Sequence, residues 1–553
     1  MYFSFFTEYL RPYKRTFGVI VFIMVLESMI SLAIPFFIGQ FSSTILQEPS
    51  PHGVFDVHYA YLIGIWLALI LLQTLARYQT SFRVNMVGAR ILTNLSCRLY
   101  DHVQMLPVEY FSKRKKGEIL SLISNDANVI AYFMSGILTG LVPSVIIATG
   151  AIMLMASINL SLAGIIALSV PTFFILLKLL GRKIRPLSEQ ITEQQAKIVS
   201  IAAENFNTIT LVKSFSREQH ESDKFKQSAQ QMKALRQSQF KIQALISPLI
   251  QMLVSIGIVV VVLISALNYR AGEITISEII TLLMYGLLFA KPISNLAGIY
   301  GQIQQALGAS KRIVEVFNVS PEAEDSGIKE LQLDKGELEI NQVSFSYEKD
   351  TTLLTNVNAR FKPGSVSVII GENGTGKTTI LHLLMRFVSP SSGQIYIDGQ
   401  DIGECGLRSL RRHIGLVSQD VALIHGSIYN NIAYGQSEAS SDGVIQAAKQ
   451  AGAHEFIMQL PQGYDTQVGD NGVLLSGGQR QRISLARTLL LNCDIIIFDE
   501  PTSLADSHGR AEFANLLTGQ LAKHTVIVVT HDHDLCDVAQ QVFTIKNGTL
   551  ERR

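Results

Sequence analysis

Long apolar runs separated by polar segments dominate the first half of the chain. Five of them approach or exceed the roughly 20 residues that cross a bilayer: 16–39, 59–76, 127–177, 242–269 and 278–300. The run 127–177 contains no charged residue and is long enough for two crossings joined by a short turn near Asn159. The pattern therefore predicts six membrane-spanning helices.

Charge divides the connections between these runs into two classes. Basic residues are concentrated at the N-terminus, in 83–126 and 178–241, and after the last run, whereas the other connections contain only one, Arg270. Because Lys and Arg favour the cytoplasmic side of a membrane, both termini are predicted to be cytoplasmic. We expect the two long basic segments to continue the spanning helices toward a cytoplasmic domain.

The pattern changes after an acidic segment that contains Pro321 and Gly327. Short β-branched runs then alternate with helical segments, as a parallel α/β sheet requires: 366–370, 494–498 and 525–530. The fold class expected is an N-terminal all-α transmembrane domain with six spans, followed by an α/β nucleotide-binding domain. The boundaries expected are 1–318 for the membrane domain, 319–335 for a linker and 336–553 for the second domain.

Composition supports a membrane location for part of the chain. Of the 553 residues, 48% are hydrophobic and only 16% are charged, against about 25% charged in soluble proteins. The mean hydropathy is +0.28. A net charge of +1 argues against a general nucleic-acid binder. The four cysteines (Cys97, Cys405, Cys493 and Cys536) lack metal-ligand spacing and are expected to be reduced thiols.

The strongest chemical motif directly follows the run 366–370. It reads Gly371-Glu372-Asn373-Gly374-Thr375-Gly376-Lys377-Thr378-Thr379, and it fits the phosphate-binding pattern G-x-x-x-x-G-K-[ST]. Glycines let backbone N–H groups point inward at an anion. Lys377 would reach the β- and γ-phosphates of a nucleotide, and the Thr378 hydroxyl would hold Mg²⁺. A glycine turn that merely fits the pattern is the alternative.

Further motifs follow other apolar runs. Asp499 and Glu500 directly follow the run 494–498, His531 comes directly after 525–530, and Gln419 follows Leu416-Val417-Ser418. Ligands bind at the carboxyl ends of parallel strands. There, Asp499 would hold Mg²⁺ through water, Glu500 would polarise the water that attacks the γ-phosphate, and His531 and Gln419 would contact that phosphate.

Two more stretches add to this pattern. A glycine turn opens a helix and offers a second anion-binding end: Ser476, Gly477, Gly478 and Gln479. Tyr347 could stack on a base. Each motif alone is more often a turn, a cap or a core residue. Their joint occurrence with a phosphate loop in one part of the chain predicts an ATPase.

Together these motifs resemble those of the ATP-binding cassette transporters, and specifically the exporter-type half-transporters. The resemblance covers essentially the whole chain. It implies a Walker A motif at 371–379, a Q-loop glutamine that also reaches the metal at Gln419, a signature at 475–479, and a Walker B carboxylate at Asp499. It further implies a catalytic carboxylate, a switch histidine, a D-loop carboxylate and an adenine-stacking aromatic: Glu500, His531, Asp506 and Tyr347.

Two positions depart from the family pattern. Asp470 stands where the exporter loop normally has Glu, and the D-loop reads Ser503-Leu504-Ala505-Asp506 instead of Ser-Ala-Leu-Asp. Neither of these two departures removes a catalytic group. In the membrane half, 117–126 and 204–218 resemble the two coupling segments of the family.

The resemblance also implies a dimer. ATP would lie between Walker A of one copy and the signature of the other, so that one chain holds only half of each site. Both halves are intact here, which favours two identical half-transporters; a heterodimer is the alternative. The cofactors implied are ATP and Mg²⁺, and the mechanism implied is alternating access.

The expected function is ATP-driven export or flipping of amphipathic small molecules or lipids, in a bacterial inner membrane; an organelle membrane is the alternative location. The alternatives are a membrane-anchored ATPase, an ATP-gated channel or regulatory subunit, and a peptide exporter. Two charges within predicted spans are candidates for substrate contact: Glu27 for a cationic amphiphile and Lys291 for an anionic lipid headgroup. Internal polar contacts between helices, or snorkelling of Lys291, are the alternative for both.

Overall fold

The computed structural model describes residues 2–46, 59–114, 116–322, 329–348, 351–436, 438–469, 475–502 and 507–553. The chain divides into two units, one formed by Met1–Gln104 with Gly117–Val319 and the other by Met105–Lys116 with Ser320–Arg553. The segment Met105–Lys116 thus groups with the C-terminal part. The domain boundaries expected from sequence stay a prediction.

The N-terminal half consists of helices and short connecting turns in its described residues. The helices are α1 (Tyr2–Leu10), α2 (Lys14–Leu46), α3 (Tyr59–Gln104), α4 (Val108–Lys113), α5 (Lys116–Ser121), α6 (Ala127–Ile158), α7 (Leu160–Asn207), α8 (Ile209–Ser214), α9 (Glu218–Arg270) and α10 (Ile276–Phe317). A 3₁₀ turn, Arg11–Tyr13, joins α1 to α2, and a π-helical turn, Leu122–Asp126, joins α5 to α6.

Several helices are much longer than a bilayer is thick. Helices α3, α7 and α9 contain 46, 48 and 53 residues. At about 1.5 Å per residue they measure roughly 70–80 Å, against about 30 Å of hydrocarbon. The expected helical continuation of the basic segments is therefore confirmed. Within the described residues, three helical stretches are long and apolar enough to span a membrane, by length and composition alone: Phe6–Ser43, Gly117–Ile158 and Gln251–Arg270. The count of six spans stays a prediction.

The helix ends follow local sequence signals. Asn159 alone separates α6 from α7, as expected, and its side-chain oxygen accepts from the Leu162 N–H at 3.1 Å. A capping box starts α10: the Thr275 hydroxyl accepts from the Glu278 N–H, and the Glu278 carboxylate accepts from the Thr275 N–H. Pro292 lies inside α10, so the apolar run that it interrupts in sequence is one continuous helix.

A bidentate ion pair fixes the start of α6 against α10. Asp126 is 2% exposed, and its two carboxylate oxygens accept from Nε and Nη2 of Arg312, both at 2.7 Å. A buried carboxylate needs such a partner because its desolvation is costly.

In its described residues the C-terminal part contains two sheets. Its strands are β1 (Leu338–Glu348), β2 (Thr351–Phe361), β3 (Val366–Ile370), β4 (Ser392–Ile397), β5 (Gln400–Asp401), β6 (Ile414–Val417), β7 (Ile495–Asp499), β8 (Thr525–Thr530), β9 (Gln541–Lys546) and β10 (Thr549–Arg552). Its helices are α11 (Lys377–Leu384), α12 (Leu407–His413), α13 (Ile428–Ala433), α14 (Ser441–Gln450), α15 (His454–Gln459), α16 (Gly477–Leu490) and α17 (Ser507–Thr518).

In the described residues the first sheet has the order β2-β1-β4-β5 and the second β10-β9-β3-β8-β7-β6. Strands β9, β3, β8, β7 and β6 are parallel to their neighbours, and β10 is antiparallel to β9. The expected parallel α/β sheet is therefore confirmed.

Both faces of the central strands are buried. Along β7, Ile495 and Ile497 pack into one hydrophobic cluster, whereas Ile496 and Phe498 pack into the other. Because successive side chains of a strand point to opposite faces, a strand buried on both faces is apolar at every position. This explains why these strands are continuous β-branched runs in the sequence.

Candidate active site

The sheet order brings four predicted motifs to one edge. Strands β3, β8, β7 and β6 are adjacent and parallel, so their carboxyl ends lie side by side. The glycine-rich loop 371–379 follows β3 and His531 follows β8. Asp499 ends β7 and Gln419 comes two residues after β6. Sequence spacing alone placed each motif after a strand; strand order makes them neighbours.

The loop that precedes α11 has the backbone expected of a phosphate cradle. Gly374 and Gly376 have φ of +82° and +100°, which side chains with a Cβ rarely adopt. Helix α11 begins directly after Gly376, at Lys377. The first N–H groups of this eight-residue helix and of the loop thus turn toward the same edge, where an anion would be stabilised.

Lys377 is held by its own loop. Its Nζ donates to the carbonyl oxygens of Gly371 at 2.8 Å and Glu372 at 3.2 Å, and it lies 3.4 Å from Oε1 of Glu500. The side chains of Lys377 and Glu500 are 7% and 9% exposed. A buried ammonium requires such acceptors, and phosphate oxygens would be stronger ones.

Thr378 and Asp499 meet at the base of the loop. The Thr378 hydroxyl donates to Oδ1 of Asp499 at 3.3 Å. Burial raises the pKa of Asp499 above its usual range, and the charge of Glu500 acts in the same direction, while the Thr378 hydrogen bond opposes it. A hydroxyl and a carboxylate oxygen are donors that Mg²⁺ accepts. A divalent cation here would also relieve the cost of keeping Asp499 ionised.

Glu500 is oriented from two sides. Its Oε2 lies 2.6 Å from Nδ1 of His531, and its backbone N–H donates to the Val529 carbonyl at 2.8 Å. The backbone of Glu500 has φ of +50°, a strained value for a residue with a side chain. His531 is 57% exposed at its side chain and so remains accessible to a ligand.

The remaining predicted nucleotide residues lie on separate elements. Tyr347 is 49% exposed, packs edge-on against Phe345 at 4.8 Å, and its hydroxyl lies 3.3 Å from Oγ1 of Thr379. Gln419 is exposed. At the start of α16, Ser476 and Gln479 form a capping box, with bonds of 3.3 and 2.9 Å. Asp470 and the D-loop 503–506, with Asp506, lie outside the described residues.

In the membrane half, Glu27 lines a cavity of about 860 Å³ bounded by α2, α3, α6 and α10. Its Oε1 accepts from Nε of Arg77 at 3.0 Å. The carboxylate is 13% exposed at its side chain and Arg77 is 63% exposed, so Arg77 is the more accessible charge. The internal polar contact considered from sequence is thus present. The role of Glu27 in substrate binding stays a prediction.

Sequence reasoning missed Arg77 and could not place Lys291. Arg77 directly follows the apolar run 59–76, and this position at the end of a span was the available signal. Lys291 is part of α10, but its side chain lies outside the described part of the chain.

One unit holds a phosphate loop, an ion-binding edge and an oriented carboxylate, and the other holds helices of membrane length. Together these features define a membrane protein driven by ATP. Comparison with known proteins gives the family. The profile of the ABC transporter transmembrane region matches residues 17–293, and that of the ABC transporter matches residues 354–503.

Individual relatives match over most of the chain. An ATP-dependent lipid A-core flippase of Syntrophus aciditrophicus is 30% identical over 98% of this chain and 89% of that protein. A protein of the same name from Legionella pneumophila is 31% identical over 88% of this chain and 82% of its own length. A solved bacterial Atm1-family ABC exporter with ATP bound matches with a TM-score of 0.84 and 25% identity, over 98% of this chain and 95% of that one.

The chain belongs to the ABC transporter family, as its motifs predicted. It is an integral membrane protein with an exporter-type transmembrane domain followed by a nucleotide-binding domain. It binds ATP and couples its hydrolysis to transport. Half-transporters of this family are generally dimeric.

Proposed function

We propose that two copies of this chain form a transporter that moves an amphipathic lipid with an anionic headgroup across a bacterial plasma membrane. The observation that carries this proposal is the cavity of about 860 Å³ beside Arg77. The names of the lipid A-core flippase relatives support a lipid substrate.

The cavity is amphipathic. Its lining includes hydroxyl and amide side chains: Ser28, Ser31, Gln73, Thr80, Ser81, Asn85, Ser135, Thr139, Ser144 and Asn295. It also includes apolar side chains: Ile34, Pro35, Ile38, Val84, Ile147, Met284, Leu287 and Leu288. A headgroup rich in oxygen would bond to the polar side chains, and acyl chains would contact the apolar ones.

Two side chains favour an anion. Arg77 presents an exposed guanidinium that donates to Glu27 through Nε alone in the described part of the chain, which leaves its two terminal amino groups as donors for a ligand. A guanidinium binds a phosphate or carboxylate through several donors. The Thr80 hydroxyl is buried and, among the described residues, has no hydrogen-bond partner, so a bound headgroup would satisfy it.

The nucleotide half supplies the energy. On ATP binding, Lys377 would exchange the Gly371 and Glu372 carbonyls for phosphate oxygens. Thr378 and Asp499 would hold Mg²⁺, which neutralises phosphate charge when bound. Glu500 would accept the proton of the attacking water while His531 keeps its carboxylate in position.

A second copy of the chain would complete each site. The signature helix α16 begins at Gly477, and the N–H groups of its first turn would cover the ATP held by the other copy. This half-site organisation supports a dimer, and the presence of Glu500 in every copy supports two hydrolysing sites.

The test is ATPase activity in phosphatidylethanolamine vesicles with added lipid A, phosphatidylglycerol or tetraphenylphosphonium. Anionic lipids are expected to stimulate hydrolysis, and Arg77→Gln is expected to raise the half-maximal lipid concentration about tenfold, the loss of one charge-assisted hydrogen bond. The single change leaves the Glu27 carboxylate without its ion-pair partner, so the double variant Arg77→Gln/Glu27→Gln, which also removes that carboxylate, is measured beside it. Arg90→Gln, an exposed change on the same helix, is the matched control.

The competing function is export of a cationic amphiphile, and the partial exposure of Glu27 in the cavity wall favours it. Stimulation by tetraphenylphosphonium alone, abolished by Glu27→Gln, would establish that function instead. Unchanged lipid stimulation in Arg77→Gln would also refute the anionic-headgroup proposal. Glu500→Gln, which should abolish hydrolysis, identifies background ATPase.

A further inference from the structure

Three segments meet at Glu322, just after the membrane-domain helix α10. Both carboxylate oxygens of Glu322 accept from Arg411, at 2.7 and 3.0 Å. The backbone N–H of Glu322 donates to the Met105 carbonyl at 2.7 Å. The side chains of Glu322 and Arg411 are 22% and 27% exposed, so this bidentate pair is largely shielded from solvent. We call these three residues the linker junction.

Arg411 also contacts the end of the Walker A helix. Its Nε donates to the Met385 carbonyl at 3.3 Å, and its guanidinium lies 5.1 Å from the Phe387 ring centroid. Helix α11 starts at Lys377 and ends just before Met385, so the same rigid segment carries the phosphate-binding lysine at its other end.

Arg411 lies, in addition, directly upstream of the Q-loop. It belongs to α12, and α12 passes without a gap into β6, after which Gln419 follows. A displacement of either the Walker A helix or the Q-loop strand would therefore change the position of the Arg411 guanidinium. The fork geometry of a bidentate pair would pass that change to Glu322.

Met105 connects the junction to the membrane half. It directly follows α3, an unbroken helix of 46 residues that also carries Trp66. An α-helix transmits axial displacement along its length because each turn is hydrogen-bonded to the next. Met105 and Trp66 are about 60 Å apart along this helix at 1.5 Å per residue.

We propose that the Glu322–Arg411 pair is an intrachain coupling contact: it passes nucleotide-dependent changes at α11 and at the Q-loop strand to α3 through Met105. Glu322 and Arg411 are positioning residues, since neither lies in the ATP site or in the cavity. The inference concerns how the two halves communicate and does not depend on the nature of the transported molecule.

The chain provides its own reporter. Trp66 is the single tryptophan in the sequence and is half-buried on α3, so the emission of the full-length protein reports on this helix alone. Emission is measured with the chain reconstituted into lipid vesicles, which contain no other protein, before and after addition of Mg²⁺, ATP and vanadate. ATPase kcat and the KM for ATP are measured in the same samples.

Glu322→Gln keeps the shape of the side chain and removes its charge. It is expected to reduce the amplitude of the nucleotide-induced emission change at least fivefold, while kcat and KM stay within twofold of the native values. Arg411→Lys, which keeps the charge but not the fork, is expected to retain part of the amplitude, and Arg411→Gln none. The matched control is Glu337→Gln, which breaks another bidentate pair of the same unit, with Arg360 at 2.6 and 3.0 Å.

The inference is overturned by a native-like emission change in Glu322→Gln or by an equal loss in Glu337→Gln. A fall of kcat in proportion to the emission change would assign the pair a purely structural role. An unresponsive Trp66 in the native protein would also count against it, because α3 would then not receive the signal. A failure of lipid stimulation leaves every one of these readouts unaffected.

Discussion

Gly376 offers the most direct test of the phosphate cradle. A Cβ at this position would lie 2.9 Å from Cδ2 of Leu354 and 3.3 Å from Cγ of Leu353, and the backbone has φ of +100°. At Gly374 φ is +82°, but a Cβ there meets nothing within 4 Å. Two alanine substitutions only two residues apart therefore separate backbone strain from side-chain overlap.

The expected losses of ATP affinity follow from the backbone strain and the side-chain overlap. Left-handed backbone costs a residue with a Cβ about 1–2 kcal/mol, so Gly374→Ala is expected to weaken ATP binding roughly 5- to 30-fold. Gly376→Ala adds the cost of overlap with a packed leucine, and a total of about 2–3 kcal/mol corresponds to roughly 30- to 150-fold. If the loop of the variant relaxes to another conformation, the strain energy lowers the affinity for ATP, because ATP binding must restore the cradle. If the loop keeps its native conformation, the same strain energy lowers the free energy of unfolding.

The assay is competition of ATP against a fluorescent ATP analogue on the full-length protein, together with thermal unfolding of the same sample. Gly399→Ala is the control: φ is +75° and a Cβ meets nothing within 4 Å, but the residue lies in the turn between β4 and β5. It should lower stability and leave ATP affinity unchanged. Native affinity and native stability together in Gly376→Ala would refute the assignment of this loop.

Other expected outcomes concern catalysis, thiol reactivity and acid stability. Glu500→Gln should lower kcat about 10²- to 10⁴-fold in a phosphate-release assay and retain ATP binding, because an amide cannot accept the proton of the attacking water. His531→Ala should cost less, about tenfold, since it removes one hydrogen bond of 2.6 Å that orients Glu500; an equal or larger loss would show a direct role in the chemistry. Cys493 is 1% exposed, and burial raises its pKa to about 11, whereas Cys97 is exposed. Iodoacetamide at pH 8 should therefore alkylate Cys97 and leave Cys493 unmodified, as measured by mass spectrometry. Equal labelling of the two thiols would contradict the buried position of Cys493. Asp398 accepts four backbone N–H groups at 2.8, 3.0, 2.9 and 2.8 Å; burial raises its pKa, but these donors outweigh it and the net shift is downward. Asp398 therefore stabilises the fold above its unfolded pKa of about 4, and this stabilisation is lost as the pH falls through the lower folded pKa. Asp398→Asn should lower the melting temperature at pH 7 and flatten the fall of the melting temperature toward pH 3. A native-like dependence of the melting temperature on pH would disprove the role of these hydrogen bonds.

The sequence by itself determined the elements that carry the chemistry. The predicted runs 366–370 and 525–530 coincide with β3 and β8, because a strand buried on both faces must be apolar at every position. The catalytic motifs follow such strands directly, so their location at strand ends needed no tertiary information. The continuation of the membrane-half helices beyond the apolar runs was equally accessible, since apolar runs and the polar helical stretches beyond them are local patterns.

Tertiary structure alone decided which charges meet. Glu27 and Arg77 are 50 residues apart, Glu322 and Arg411 are 89 apart, and the Asp126–Arg312 pair spans 186. A charge pair requires two side chains to come within about 4 Å, and that depends on how helices and strands distant in sequence are packed. Local patterns carry no record of this packing. The sequence therefore specified the ATP-site motifs and the strands that they follow, whereas strand order brought those motifs to one edge, and packing determined the charge in the cavity and the contact that joins the linker to the Walker A helix.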